Sequence, residues 1–208
     1  IKPSSLTRRF NHCLKFLFSI FLKLCQSNRF SSDLLHLINC SSSTDSGSEI
    51  TLETCSFNTN SADVGGAIYF SDATDAGDLI IQGGTFSGNT ATTSGGGIHM
   101  WAGTAYSKLD ISGSINISTS HADSGGALYL DGAEQWNPVF DGVRLKNNTA
   151  DTRGAALYLG TVSLLIDASV VEDNVVAGDG AAWVSNAATL TNRRSGWGTS
   201  GGDNEDYD

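Results

Sequence analysis

Proline occurs only twice in these 208 residues, although glycine occurs 24 times. That scarcity excludes a proline-rich disordered linker, and the glycine, serine, threonine and asparagine that abound here indicate many tight turns instead. Cysteine is absent after residue 55, since Cys13, Cys25, Cys40 and Cys55 are the full set. Disulfides therefore do not hold the rest of the chain together. A bridge between Cys40 and Cys55, or two small buried or unpaired thiols, both remain open. Basic residues are scarce too. After residue 40 only six remain, against 21 acidic ones, so this part should repel nucleic acid and anionic lipid. No apolar run reaches the ~20 residues of a membrane span. No Cys and His spacing fits zinc, and no glycine loop runs into a lysine that could cradle phosphate, so neither a metal nor a cofactor is expected.

The first 40 residues differ from the remainder. Lys2, Arg8, Arg9, Lys15, Lys23 and Arg29 face the single acid Asp33, and Phe16, Leu17, Phe18, Ile20, Phe21, Leu22 and Leu24 follow the two arginines. Basic-then-apolar order suits a signal-like segment, but Lys23 interrupts it and no clear small-residue cleavage site follows. A capping helix over the first repeat, or extraneous sequence, are the other readings of residues 1–40. Residues 195–208 form a polar acidic tail, whose Asp203, Asn204, Glu205, Asp206 and Asp208 lack the glycine-centred spacing of a calcium loop. A solvated terminus is expected there. Sequons stand at Asn39, Asn116 and Asn147 and matter only in a eukaryotic secretory route.

Between those ends, residues 41–194 repeat themselves. Gly65-Gly66-Ala67-Ile68-Tyr69, Gly95-Gly96-Gly97-Ile98-His99, Gly125-Gly126-Ala127-Leu128-Tyr129, Gly154-Ala155-Ala156-Leu157-Tyr158 and Gly180-Ala181-Ala182-Trp183-Val184 are one motif, with first glycines 30, 30, 29 and 26 residues apart. A second motif lies eight or nine residues before each, an apolar residue followed three later by an amide or hydroxyl. Its copies are Phe57 with Asn60, Phe86 with Asn89, Ile117 with Ser120, Leu145 with Asn148, and Val171 with Asn174. Five residues upstream of the apolar marker stand Leu52, Ile81, Phe140 and Ile166, and seven upstream Ile50, Leu79 and Leu164. Alternation at period two marks strands. In the third repeat Asp110 and Ser112 take those places, so that repeat is expected to be irregular.

Each period thus holds about three short strands and three turns, too little to bury its own apolar face. Stacking supplies the burial, because parallel strands of successive coils pair at ~4.8 Å and set like residue on like residue. The expected fold is all-β: a right-handed, single-stranded parallel β-helix of five to six coils. Phe57, Phe86, Ile117, Leu145 and Val171 form one inward stack, and Ile68, Ile98, Leu128, Leu157 and Trp183 another. Asn60, Asn89, Ser120, Asn148 and Asn174 belong at a corner, where amides tolerate left-handed backbone and bond neighbouring coils. Ala62, Ala91, Ala122 and Ala150, with the glycine pairs Gly65-Gly66, Gly95-Gly96 and Gly125-Gly126, keep backbones close at tight bends.

These Phe-x-x-Asn and Gly-Gly-Ala-Ile signatures resemble those of the polymorphic outer-membrane protein repeat, over residues 50–190. The first two copies match closely; the third lacks both Phe and Asn, and Ala155 and Ala181 replace the second glycine in the fourth and fifth. Ser195-Gly196-Trp197-Gly198 resembles the segment that closes such arrays. The resemblance implies a longer parent, export, display on an outer surface or secretion, and an adhesive or passenger-type role, not a reaction. Partners would be host or matrix glycans or surface proteins; membrane association would come only from the N-terminal segment or from segments not present here. No feature sets the oligomeric state.

Enzymes that act on acidic polysaccharides share this fold class, so paired carboxylates are the features to weigh. Asp141 and Asp167 align four residues before the apolar marker, with Glu53 and Gln82 in the same row and Gly113 breaking it. On adjacent coils the two aspartates would lie ~5 Å apart, near the spacing of a retaining glycosidase pair. Acids are also ordinary turn residues, and that reading is preferred, so no catalytic residue is assigned. The alternative function is a polysaccharide lyase or glycoside hydrolase. A binding surface has more support: Tyr69, His99, Tyr129 and Tyr158 alternate with inward aliphatics, and Trp101 and Trp136 follow in the loops. Such a stripe suits sugar contact, or simply stabilises the sheet surface by cross-strand stacking.

Overall fold

The computed structural model describes residues 35–39, 49–72, 78–102, 108–132 and 137–197, and these form a parallel β-helix of about five turns. Among the described residues there is no helix. Every pairing between strands is parallel, and every strand pairs with its equivalent one coil away. Three sheets run along the axis. Sheet one begins with Glu49–Asn58, Asp78–Ser87, Lys108–Ser118 and Val139–Lys146, then divides into Ser163–Asp167 with Val170–Glu172 and Thr189–Arg193 with Gly196–Trp197. Sheet two stacks Ser61–Val64, Thr90–Ser94, His121–Ser124, Thr149–Arg153 and Val175–Val176. Sheet three stacks Leu35–Asn39, Ile68–Asp72, Ile98–Ala102, Leu128–Gly132, Leu157–Leu159 and Ala182–Val184. Paired strands therefore extend past 41–194 at both ends, to Leu35 and to Trp197. The expectations for the rest of the head, among them a capping helix, lie outside the described residues.

The core is a cylinder of stacked apolar rows. Phe57 pairs in register with Phe86, Phe86 with Ile117, Ile117 with Leu145 and Leu145 with Val171, and all five are buried. Each such side chain contributes roughly 1.5–3 kcal/mol by leaving water. The third coil is more regular than its residues promise. Leu109 and Ile111, not Asp110 and Ser112, pair with Leu79 and Ile81 and are buried. An extra residue makes the difference: the register shifts opposite Gln82 and Gly84, and Gly113 and Ser114 both adopt left-handed φ, 79° and 62°. That bulge absorbs the insertion and restores the apolar rows on either side.

At the corner between sheets one and two the chain turns through a left-handed residue directly before each amide: Thr59, Gly88, Thr119, Asn147 and Asp173, with φ between 51° and 65°. Only at Gly88 is that conformation free of Cβ strain. The carboxamides beyond it are buried and bond along the axis. Asn89 Oδ1 accepts from the backbone N–H and Nδ2 of Asn60 at 3.0 and 2.9 Å, and Asn89 Nδ2 donates to the Phe57 carbonyl at 2.9 Å. Asn174 does the same for Asn148 and Leu145. Ser120 interrupts the row. Its backbone N–H donates to Asn148 Oδ1 at 3.0 Å, but its short hydroxyl turns back to the Ser118 carbonyl and offers Asn89 nothing. We expect Ser120→Asn to raise the melting midpoint by about 2–4 °C, corresponding to one net buried hydrogen bond, in thermal unfolding followed by circular dichroism. A lower midpoint would show that the corner has closed over the missing carboxamide.

The glycine motif occupies the bend that leads into sheet three. At Gly96 an added methyl would collide with the carbonyls of Gly126 and His121, one coil on, which explains the glycine there. Cys55 lies fully buried in sheet one and is disulfide-bonded, and its partner lies outside the described residues.

Candidate functional site

Alternation along sheet three turns Ile68, Ile98, Leu128 and Leu157 inward, fully buried, and turns their successors outward. The outward residues pair in register coil by coil, Tyr69 with His99, His99 with Tyr129 and Tyr129 with Tyr158. Their rings form a column. Centroids are 5.2 Å apart for Tyr69 and His99, 4.7 Å for His99 and Tyr129, and 4.2 Å for Tyr129 and Tyr158, the last two pairs nearly parallel at 5° and 8°.

The column has a fifth member, and the expected inward seat of Trp183 is thereby corrected. Ala182 pairs with Leu157, whereas Trp183 pairs with Tyr158 and stacks on it at 4.4 Å and 18°. The last repeat is a few residues shorter, and its motif slides by one position, so the residue that reads as the aliphatic falls in the outward row. Arg153 covers the Trp183 ring at 5.0 Å from its centroid, a cation–π contact that the motif alignment does not reveal.

Ring faces in this column are occupied by other rings, which leaves edges and hydroxyls toward solvent. His99 is enclosed between two of these rings. Burial pushes its pKa down to about 4, against a smaller opposing pull from Asp131, and its Nδ1 lies 2.9 Å from Ser94 Oγ. Burial, first, and the hydroxyl contact with Tyr158 raise the pKa of Tyr129, so its hydroxyl stays protonated. Asp131 is engaged by the backbone: its Oδ1 accepts from the N–H groups of Gly132 and Thr161 at 2.8 and 3.1 Å and from the Thr161 hydroxyl. Two residues along from His99, on the same outward face, Trp101 is 38% exposed and pairs in register with Ser71 and Asp131. Trp136 lies outside the described residues.

The row of acids is continuous in space but occupied. In register it reads Glu53, Gln82, Ser112, Asp141, Asp167 and Arg193, so the bulge places Ser112 where the sequence puts Gly113. Asp141 and Asp167 are direct register partners. Asp167, however, is clasped by two guanidinium groups: Arg193 Nε donates to its Oδ2 at 3.0 Å and Arg194 Nε to its Oδ1 at 2.8 Å. Those contacts hold its carboxyl well below the usual carboxylate range, outweighing the opposing effect of burial. A glycosidase pair needs one carboxylic acid whose pKa is raised so that it can give up a proton at neutral pH. Asp167 is shifted the other way. Glu172 is likewise lowered by Arg144 and Lys146.

His99 and His121 stay apart. His121 is on sheet two, where its Nδ1 lies 2.9 Å from Thr149 Oγ1 and its Nε2 3.6 Å from Asp151. Among the described residues no three His, Cys, Asp or Glu side chains are grouped to hold a metal, and no helix is long and apolar enough to cross a membrane.

Residues 83–100 match the family model described as the Chlamydia polymorphic membrane protein repeat. This stretch holds Phe86, the amide corner at Asn89, the glycine bend and the first residues of the sheet three strand. The described chain is a parallel β-helix of stacked repeats, and one stretch of it is similar to the polymorphic membrane protein repeat. No curated protein and no solved structure matches it. The matched stretch thus spans one amide corner and one glycine bend of the β-helix. A repeat of this type on a β-helix fits a cell-surface protein.

Proposed function

We propose that this polymorphic-membrane-protein-type chain is a non-catalytic rod displayed at a cell surface or secreted, with an adhesive or passenger-type role, and that sheet three is its contact face. The observation that carries the non-catalytic part is the clasp of Arg193 and Arg194 on Asp167. It removes from proton transfer one member of the coil-to-coil pair Asp141 and Asp167 that the repeat aligns. Support for a contact face comes from the outward ring column and from Trp101, whose exposed ring takes no part in the stack. An exposed indole and half-buried phenol groups beside engaged polar groups suit weak, multivalent contact with host or matrix glycans.

Retention on an array of neutral and acidic oligosaccharides tests the contact. The full chain should be retained, and Trp101→Ala should lower retention by about tenfold, the effect of losing roughly 1.4 kcal/mol. Tyr129→Ala and Tyr158→Ala, checked for unchanged β-type circular dichroism, should weaken it as well. Unchanged retention in all three variants would end the glycan reading and leave the column a structural one. For the competing reading, a polysaccharide lyase or hydrolase, incubation with pectate and alginate is decisive. We expect no unsaturated product and no reducing ends above background; sustained turnover that Asp167→Asn abolishes would overturn the non-catalytic assignment.

A further inference from the structure

Lysine and arginine are few on the described β-helix, and each of them is already engaged. After residue 40 the sequence holds six basic residues. Lys108 pairs with Asp110, Arg144 and Lys146 with Glu172, Lys146 also with Asp173, Arg153 with Asp179, and Arg193 and Arg194 with Asp167. An anionic ligand reaching this surface would have to break one of those pairs to find a cation. It would also approach against the 21 acidic residues of the same stretch. Acidic glycans are therefore poor ligands for the β-helix, whereas cationic ones are attracted to it.

Sheet three offers such a cation a seat. Beside the ring column runs a second outward row, with Ser71, Trp101 and Asp131 in register. Trp101 is 38% exposed and presents its indole to solvent. Asp131 stands next to it, one coil on. The hydrogen bonds that Asp131 accepts come from neutral donors, the N–H groups of Gly132 and Thr161 and the Thr161 hydroxyl, and all of them end on Oδ1. They fix the carboxylate without cancelling its charge. Among the described residues no Lys, Arg or His forms an ion pair with Asp131. His99, in the ring column beside it, is neutral above about pH 4.

We propose that the ligand of sheet three is a glycan with free, protonated amines, an oligomer of glucosamine type, whose ammonium group sits at Trp101 and Asp131. This inference rests on the glycan-contact reading and names the class of sugar. An indole face attracts an ammonium group through the ring quadrupole, and a neighbouring carboxylate without a counter-ion adds a direct charge contact. Acetylation of the amine removes both attractions while leaving the sugar ring unchanged. A uronic acid in the same place would set carboxylate against carboxylate.

Retention of the full chain on immobilised oligomers of glucosamine, N-acetylglucosamine and galacturonate, equal in length, gives the primary test, in slightly acidic buffer where the sugar amine carries its proton. Glucosamine should retain the chain about tenfold more strongly than N-acetylglucosamine, and galacturonate least of all. Asp131→Asn keeps an oxygen that can accept the same hydrogen bonds, and it should bring the first two ligands within about twofold of each other. Asp151→Asn removes an equal charge from sheet two, where Asp151 is exposed, and should leave the preference as it is. A second measurement needs no substitution: the Trp101 indole N–H resonance of the unmodified chain should shift with glucosamine oligomer at concentrations where the N-acetylated one leaves it in place. Equal retention of the two sugars, a preference that survives Asp131→Asn, or one that Asp151→Asn removes equally would overturn the amine assignment while the glycan reading stands. Retention of none of the three oligomers would end the glycan reading and this inference with it. If Asp131→Asn does not fold, the Trp101 resonance decides, and a resonance unmoved by glucosamine overturns the proposal.

Discussion

Phe86→Ala should lower the unfolding free energy by about 3–5 kcal/mol, the upper range for core truncations, measured by urea unfolding of the full chain. Phe86 is fully buried, stacks on Phe57 with centroids 4.9 Å apart and 18° between planes, and rests on Ile117 at its other side. The hole left by the ring cannot be filled by neighbours moving in. Backbone hydrogen bonds on both sides of Asp78–Ser87 fix the coil spacing, and the amide corner three residues later anchors it again through Asn89. Phe86→Leu keeps most of the volume and should cost less than about half as much. A loss of under about 1 kcal/mol for Phe86→Ala would show that the coils can settle into the gap, and the picture of a rigid stacked cylinder would fail with it.

Position in a repeat is legible in the sequence wherever a residue has a fixed partner one period away. Phe57, Phe86 and Leu145, the amides at Asn89, Asn148 and Asn174, and the aliphatics Ile68, Ile98 and Leu128 all pair at the expected register, because period-two alternation and corner chemistry act locally and recur. What escapes is whatever changes the count of residues within a coil. Counting five and seven back from Ile117 points to Ser112 and Asp110, since nothing in a residue's identity announces that Gly113 and Ser114 share one rung. The same limit hides Trp183, whose coil is short, so that a fixed motif frame is off by one. A positive clue was present in both cases: an apolar pair one step out of phase in the third repeat, and an aromatic beside the aliphatic in the last.

Side-chain pairing between coils is less legible still. That Asp141 and Asp167 would be neighbours follows from the period, but not that Arg193 and Arg194 from the next coil would take hold of Asp167. Two adjacent arginines read as an unremarkable basic pair until the coil after Asp167 is in place. The difference matters for function, because the same row of acids reads as a catalytic candidate without its cations and as a closed ion cluster with them. Spacing establishes proximity, whereas the protonation behaviour that chemistry requires depends on everything else within reach.

His99 ties the ring column to pH. Unfolded, its imidazole takes up a proton near pH 6.5; folded, enclosed between Tyr69 and Tyr129, it does so only at about 4. Between those values the unfolded chain binds more protons, so stability is intact above pH 6.5, falls as pH drops toward 4, and has lost its full share below that. The gap corresponds to about 3 kcal/mol. The carboxylates with lowered pKa, Asp167 and Glu172, act in a separate window, because their contribution is complete above the ordinary carboxylate range and is lost only under more acidic conditions. His99→Tyr continues the column with the residue already found on either side and removes the titrating group. Urea unfolding of wild type and His99→Tyr at pH 7.5, 5.5 and 4 should therefore show wild type losing about 3 kcal/mol more than the variant across that range. Parallel losses would mean that the enclosed imidazole finds compensation when charged, as a cation held between two phenol faces, and the column would then tolerate acid instead of weakening in it.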